Sequence, residues 1–208
     1  MNLIITSTGF SFNPHVQEEF LKMTHGDTSL PVAIITTAAE GKEENEYSKL
    51  AKKQFTNMGF THVDFIDVET QDPQLLKTYK VLYVCGGNTF YLLHYIKQSK
   101  ADVIIKELIA NGVIYIGVSA GSIILSPTVD IAAAISPDPN DIGLTDLTGL
   151  NMVNFDTSVH YEPQEESEVQ AYETKTGRTV QRLSNEQAII KNDLEIKRIY
   201  NYKPSSFL

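Results

Sequence analysis

The sequence predicts an α/β fold with a parallel sheet that is covered by helices on both faces. Short apolar runs rich in β-branched residues alternate with longer stretches whose apolar residues recur at helical spacing. The runs at 32–36 and 81–84 are apolar almost throughout, which is typical of strands buried on both sides. A Gly-x-Ser-x-Gly turn directly after the run at 113–116 indicates an abrupt passage from strand to helix.

The elements of the first half follow from this alternation. Gly26 and Gly59 come just after the first two amphipathic stretches, where glycine is typical of a helix end. Strands are expected at 3–6, 32–36, 63–68, 81–84 and 113–116, and helices at 14–23, 42–58, 73–77, 89–96 and 101–110.

After residue 124 the pattern changes. Residues 136–150 are rich in Pro, Asp, Asn and Gly and are expected to form a long loop. No internal repeat, low-complexity tract or linker interrupts the chain, which favours a single domain over 1–208. Strands are expected at 129–135 and 152–155, a helix at 165–171, and a hairpin of strands at 188–190 and 196–200 turned at Asn192-Asp193.

The composition, net charge and cysteine count of the chain limit the functions and locations that are compatible with it. Of the 208 residues, 42% are hydrophobic and 21% charged, as in ordinary soluble domains. The formal net charge of −9 disfavours binding to a phosphate backbone. Cys85 is the single cysteine, so an intramolecular disulfide is excluded and a reducing compartment is expected. The chain shows neither a basic leader nor an apolar stretch long enough to cross a membrane, which favours a cytoplasmic location.

The turn around Ser119 is typical of a serine nucleophile. Gly117 and Gly121 leave room for a strand to turn at once into a helix, because a Cβ at either position would collide with the strand or the helix. The helix that follows directs its free amides, including that of Ala120, at negative charge that develops beside Ser119. The sequence therefore predicts Ser119 as a nucleophile and Ala120 as an oxyanion donor.

A second glycine-containing loop, Cys85-Gly86-Gly87-Asn88, follows the predicted strand at 81–84. In a parallel sheet this loop lies at the same carboxyl edge as Ser119, where ligands bind. We expect Gly86 or Gly87 to supply the second oxyanion donor, while a plain turn capped by Asn88 is the alternative. Cys85 is expected to be a buried apolar residue rather than a nucleophile.

A serine nucleophile needs a base, and His160 is the predicted one. It follows an apolar run and precedes a loop, which places it at a strand end, and the other histidines lie in or beside predicted helices and turns. A carboxylate is expected to orient its imidazole. Spacing leaves several candidates open: Asp130, Asp138, Asp141, Asp146, Glu162 and Glu186.

Three segments of the chain resemble the S51 peptidases, a family that includes dipeptidase E (α-aspartyl dipeptidase) and the cyanophycinases. They are Val-Cys-Gly-Gly-Asn-Thr-Phe-Tyr-Leu-Leu at 84–93, Gly-Val-Ser-Ala-Gly-Ser at 117–122, and the stretch from Leu-Asn-Met-Val to Val-His-Tyr-Glu at 150–162. The resemblance runs from the first strand to about residue 190. It implies a class I glutamine amidotransferase-like (flavodoxin-like) three-layer α/β/α sandwich.

The resemblance also implies the roles of individual residues. Ser119 matches the family nucleophile and His160 its base. The family's acidic member precedes the histidine by a little over twenty residues, which corresponds to Asp138. Counting the family's spacing forward from Ser119 instead leads to about Ala134, whose side chain cannot act as the acid. Asp130 and Glu186 therefore stay open as alternatives.

The resemblance further implies a short peptide as substrate, with an N-terminal Asp as the natural candidate. An aspartyl side chain needs a cation, and Arg178 is the predicted one, with Arg182 as a second arginine in the same stretch. The alternative for both is a solvated helix arginine, and the acidic run 162–168 is expected to be a solvated helix face.

No metal or cofactor is expected, because no metal-ligand spacing and no phosphate-binding glycine motif occurs in the sequence. A homodimer is compatible with the sequence, whereas nucleic acid and membranes are not expected partners. Two other functions stay open. An esterase of the α/β-hydrolase type usually carries its histidine much later in the chain, and a binding protein could keep the fold without catalysis.

Overall fold

The computed structural model of the protein describes residues 1–135, 137–193 and 195–201. A seven-stranded sheet lies at its centre, with the strand order β3-β2-β4-β5-β1-β8-β9. The first five strands in that order are parallel, and β8 and β9 are antiparallel to their neighbours. The strands are β1 (Asn2–Thr6), β2 (Val32–Ile35), β3 (Val63–Ile66), β4 (Val81–Val84), β5 (Ile114–Val118), β8 (Gln187–Lys191) and β9 (Ile196–Tyr200).

A second sheet within the described ranges consists of the parallel strands β6 (Asp156–Val159) and β7 (Val180–Leu183). The α-helices are α1 (Pro14–Met23), α2 (Glu46–Asn57), α3 (Thr89–Gln98), α4 (Ala101–Ala110), α5 (Ala120–Ile123), α6 (Ile131–Ala134) and α7 (Glu166–Thr176). Short 3-10 helices occur at Lys42–Glu44, Pro73–Thr78 and Pro163–Glu165.

Helices cover both faces of the seven-stranded sheet. One face packs against α1 and α2, and the other packs against α3 to α7. Alternate residues of each central strand point to opposite faces, so Ile4 belongs to the first layer and Leu3 and Ile5 to the second. The predicted three-layer α/β fold with a mainly parallel sheet is therefore confirmed. The single domain over 1–208 and the glutamine amidotransferase-like classification stay predictions.

The first layer contains a cluster of aromatic rings. Phe20 of α1 and Phe55 of α2 meet edge to face with ring centroids 5.5 Å apart, and Phe10 lies 5.4 Å from Phe55. Both helices begin at an asparagine whose side chain accepts a backbone N–H of the first turn, Asn13 for α1 and Asn45 for α2. Capping and aromatic packing thus fix this layer against the sheet.

The largest differences from the sequence-based prediction follow residue 124. The predicted strand at 129–135 is wrong, because Ile131–Ala134 form α6, and a run of three alanines favours a helix. The strand predicted at 152–155 lies instead at Asp156–Val159. Residues just before it are held by the chain that follows α5, since the N–H groups of Leu150 and Met152 donate to the carbonyls of Ile124 and Leu125.

Strand β7 was not predicted, and it changes the interpretation of Arg182. This arginine lies on β7 and pairs with Glu166 and Glu173 of α7, each at 2.9 Å. It is therefore not a solvated helix arginine, and this part of the acidic helix is not simply a solvated face. Arg182 holds the pKa of Glu166 at about 2, with further hydrogen bonds from Tyr161 and Gln170.

We expect Arg182→Gln to lower the free energy of unfolding at pH 7. Glu166 and Glu173 both have a lowered pKa, so the stability they gain from the pairing is present above about pH 4.5 and is lost as the pH falls towards 2. In urea unfolding, the difference between wild type and variant should shrink over that range. Lys175→Gln removes the same charge from the exposed end of α7 and should leave stability nearly unchanged. A difference that is independent of pH would contradict the pairing.

Candidate active site

Ser119 occupies a strained turn between β5 and α5. Its backbone has φ of 50° and ψ of −113°, a conformation that residues with a side chain rarely adopt. The flanking glycines are required by space: a Cβ on Gly117 would stand 2.6 Å from the carbonyl oxygen of Gly121, and one on Gly121 would stand 2.3 Å from that of Val84. The predicted requirement for small residues on both sides of Ser119 is confirmed.

His160 follows β6 and reaches Ser119 from the second sheet. The distance from its Nε2 to the Ser119 Oγ is 3.0 Å. The backbone φ of His160 is 54°, so this residue too lies in the left-handed region. The two side chains expected to meet at the edge of the sheet are therefore within hydrogen-bond distance.

The other ring nitrogen of His160 contacts Asn185, which no sequence pattern indicated. The distance from Nδ1 to the Asn185 Oδ1 is 2.7 Å. An amide oxygen only accepts hydrogen bonds, so Nδ1 carries the proton and donates it. Nε2 then has a free lone pair and accepts a hydrogen bond from the Ser119 hydroxyl. The arrangement is a Ser-His-Asn triad in which the serine proton points at a basic nitrogen.

The end of β1 and the loop after it hold all three residues of the triad. The Ser119 N–H donates to the Thr6 carbonyl at 3.0 Å. The His160 N–H donates to the Ser7 Oγ at 3.0 Å, and the Thr8 hydroxyl donates to the Asn185 carbonyl at 2.8 Å. One segment of chain thus fixes three residues that are far apart in sequence.

Asp138 is not the partner of the imidazole. Its Oδ2 accepts the N–H of Thr89 at the start of α3, at 2.8 Å, and the Asn88 side chain donates to the Pro139 carbonyl at 2.7 Å. The expectation that Asp138 orients His160 is therefore wrong, because Asn185 already contacts Nδ1. Asp138 nevertheless lines a small cavity together with Ser119 and His160.

The alternative acids are not imidazole partners either. Asp130 accepts a hydrogen bond from Arg178 at 2.7 Å, and Asp156 accepts a second one at 2.7 Å. Burial raises the pKa of Asp130, but hydrogen bonds from Tyr172 and Arg178 outweigh it and lower the pKa overall. Glu186 follows Asn185 in sequence, and its carbonyl accepts the Asn13 side chain.

Arg178 is engaged in this ion-pair network and lies outside the two cavities that adjoin Ser119. Both partner carboxylates belong to this chain, so the guanidinium is already neutralised where it stands. The structure therefore does not place Arg178 where it would contact a substrate bound at Ser119.

Two cavities meet at Ser119 and His160. One has a volume of about 90 Å³ and is lined partly by α6 and β6. The other has a volume of about 710 Å³ and is lined by the loops after β1 and β4 and by α2. Ser119 and His160 thus belong to the lining of both cavities.

The glycine loop after β4 forms part of the larger cavity. A Cβ on Gly86 would stand 2.9 Å from that of Ser119, so only glycine lets this backbone lie against Ser119. Gly87 lies against the Ala38 carbonyl instead, where a Cβ would stand 1.9 Å away. Cys85 is buried and its thiol pKa is raised to about 12 by burial, so it is not a reactive thiolate at neutral pH.

Comparison with known proteins identifies the family to which this chain belongs. The model of peptidase family S51 matches residues 3–199. The chain belongs to peptidase family S51. An uncharacterized peptidase of Listeria monocytogenes is 35% identical over 164 residues, which is 77% of this chain and 78% of that protein. Peptidase E of a Nostoc species is 31% identical over 156 residues, which is 75% of this chain and 62% of that protein.

Solved structures agree with the assignment to family S51. A crystal structure from Listeria monocytogenes EGD-e, provisionally assigned as peptidase E, superposes with a TM-score of 0.79 at 30% identity and covers 96% of this chain and 98% of its own. A peptidase from an acI-B1 Actinobacterium superposes with a TM-score of 0.68 at 16% identity, and the match covers 96% of this chain and 87% of its own. At this low identity, the similarity shows a shared fold alone.

The described part of this S51 peptidase contains no group of three or more His, Cys, Asp or Glu side chains arranged to hold a metal ion. Within the same residues, no helix has both the length and the apolar character needed to cross a membrane.

We expect Asn185→Ala to slow the reaction of Ser119 with a fluorophosphonate roughly tenfold or more, because the imidazole loses the acceptor that fixes its orientation and its protonated nitrogen. Asn185→Asp should retain or exceed the wild-type rate, since a carboxylate also accepts from Nδ1. Labelling can be followed by intact-protein mass spectrometry, with Glu186→Gln as the neighbouring control. An Asn185→Ala variant that labels as fast as wild type would rule out this role.

Proposed function

We propose that this S51 family member hydrolyses short peptides through an acyl-enzyme on Ser119. The observation that carries the proposal is the 3.0 Å contact between Ser119 and an imidazole whose second nitrogen is held by Asn185. A partly exposed serine in a strained strand-to-helix turn, beside a base with a fixed proton, has the features of a nucleophile.

In the proposed first step, the Ser119 Oγ attacks the scissile carbonyl carbon while its proton passes to His160 Nε2. The carbonyl oxygen becomes an oxyanion near the N–H groups of Ala120 and of Gly86 or Gly87. Gly86 is the better supported of the two glycines, because it lies against Ser119. Among the described residues, none of these three N–H groups donates to another group of the protein.

In the second step, the tetrahedral intermediate expels the leaving amine, which takes the proton from His160. Water then attacks the acyl-enzyme with His160 again as the base and releases Ser119. Asn185 orients the ring in both steps but, being neutral, stabilises the imidazolium less than a carboxylate would. The triad therefore relies more heavily on orientation than on charge.

The aspartyl preference implied by the family resemblance has weaker support. A β-carboxylate in the site would need a cation, and Arg178 is held by Asp130 and Asp156. No lysine or arginine is found among the described residues that line either cavity. We therefore propose short peptides as the substrate class, without restriction to an N-terminal Asp.

We expect Ser119→Ala to abolish peptide hydrolysis, with a loss of roughly 10³-fold or more, because Ser119 is the one hydroxyl residue among the described residues that lines both cavities. Hydrolysis of a mixture of dipeptides and tripeptides can be measured by release of free amino acids. Thr174→Ala, on the exposed face of α7, is the control: this variant should fold and hydrolyse peptides like wild type. If the Ser119→Ala variant still hydrolyses peptides, the serine mechanism is ruled out.

A matched pair of dipeptides tests the side-chain preference. We expect Ala-Leu to be hydrolysed with a kcat/KM at least as large as that of Asp-Leu, since the described cavities offer no cation to the aspartyl side chain. A kcat/KM for Asp-Leu about a hundredfold above that for Ala-Leu would instead establish aspartyl specificity. Ester hydrolysis in the absence of peptide hydrolysis would favour an esterase.

A further inference from the structure

The larger cavity beside Ser119 has an apolar rim. Phe12 of the loop after β1 is 55% exposed, and Tyr47 and Leu50 of α2 are 79% and 39% exposed. Since residues three apart lie on one face of a helix, Tyr47 and Leu50 border the opening together. Seven large apolar side chains are exposed among the described residues, and three of them line this one cavity. Such a concentration of exposed apolar surface is typical of a groove that binds a ligand.

The lining of the larger cavity also includes a buried tyrosine. Tyr83 is 5% exposed, and its hydroxyl makes no hydrogen bond with any described residue. A buried hydroxyl needs an acceptor, and a peptide carbonyl is one. The cavity volume of about 710 Å³ lies in the range of small-molecule sites, so a complete amino acid residue fits with its side chain.

The charge of this lining is negative. With His160 neutral, Glu40 carries the one formal charge at pH 7 among the described residues that line the cavity. An acidic group bound here would be repelled by Glu40 and would find no lysine or arginine in the described lining. The larger cavity therefore favours an apolar side chain over an acidic one.

The part of a peptide that leaves first needs an open path, because the acyl part is still bonded to Ser119 when the amine departs. The smaller cavity measures about 90 Å³ and most of its described lining residues are buried, so a bulky residue neither fits there nor leaves that way. The larger cavity has an exposed rim, and His160, which gives its proton to the leaving amine, belongs to its lining.

We infer that the larger cavity binds the residue on the leaving side of the scissile bond and selects a bulky apolar side chain there. The inference rests on the serine mechanism proposed above and names the class of peptide on which it acts. Phe12, Tyr47 and Leu50 contact that side chain, and Glu40 disfavours an acidic one. Once the amine has left, water enters by the same opening and reaches the acyl carbon beside His160.

Binding to Ser119→Ala tests this subsite without turnover. The probes are the dipeptide amides Ala-Phe amide, Ala-Ala amide and Phe-Ala amide, which carry the same charge. By calorimetry at pH 7, we expect Ala-Phe amide to bind roughly tenfold tighter than Ala-Ala amide, as for an aromatic side chain that becomes largely buried. Phe-Ala amide, with its ring on the acyl side, should bind no tighter than Ala-Ala amide. Equal affinity of Ala-Phe amide and Ala-Ala amide, or tightest binding of Phe-Ala amide, overturns the inference.

The apolar rim can be tested with a matched pair of leucines. In Ser119→Ala/Leu50→Ala, the ratio of the affinities for Ala-Phe amide and Ala-Ala amide should fall roughly threefold or more, because part of the apolar surface at the opening is lost. Leu75→Ala in the same background is the control, since Leu75 is 45% exposed and lies outside the described linings of both cavities. A ratio that survives Leu50→Ala, or that falls equally in both variants, contradicts the subsite.

Charge reversal tests the same subsite in the active protein. We expect Glu40→Lys to raise kcat/KM for Ala-Glu amide relative to Ala-Phe amide roughly threefold or more, because a repulsion becomes an attraction. Glu168→Lys makes the same change at an exposed position of α7 and should leave this ratio unchanged. If Glu40→Lys also leaves it unchanged, the leaving residue does not lie in this cavity. A wild-type protein whose Ser119 resists fluorophosphonate would instead contradict the serine mechanism, and the binding ratios would still decide the subsite.

Discussion

The candidate site depends on the hydrogen bonds made by the end of β1. This strand lies between β5, which leads to Ser119, and β8, which follows Asn185. Thr6 is paired with Val118 on one side and with Ala188 on the other, so the register of the sheet brings both ends of the triad to one edge. Ser7 then receives the His160 N–H from the second sheet. Without this central strand, the three residues would have no common support.

The support is needed because two of the three residues are strained. Ser119 and His160 both have a positive φ, which costs each of them about 1–3 kcal/mol in a residue with a side chain. Both backbone N–H groups are bound, by Thr6 and by the Ser7 Oγ. The sheet thus maintains a geometry that the local chain would not adopt by itself, and the two side chains remain at 3.0 Å.

Charge is distributed unevenly between the site and its surroundings. Arg178 and Arg182 are both paired with carboxylates of the same chain, and both pairings join β7 or the residues just before it to other elements. The triad has a neutral amide in the position where a carboxylate was expected. Asp138, the carboxylate expected in that position, instead lines the small cavity and accepts the Thr89 N–H.

The local pattern of the sequence determined the order of the elements in the first 124 residues, because apolar periodicity, glycine stops and the Ser119 turn depend on neighbours in the chain. It did not determine every limit: the helix predicted at 42–58 is a 3-10 helix at Lys42–Glu44 followed by α2, and the helix predicted at 73–77 is a 3-10 helix. Helices α1 and α4 and strand β4 have the predicted limits, and Ser119 and His160 meet as expected. Only the tertiary structure decided the partner of His160. Asn185 reaches the imidazole through a turn between β7 and β8, and β7 alternates too weakly in hydropathy to be recognised. A contact across 25 residues leaves no periodic signal, since it is set by how two sheets pack.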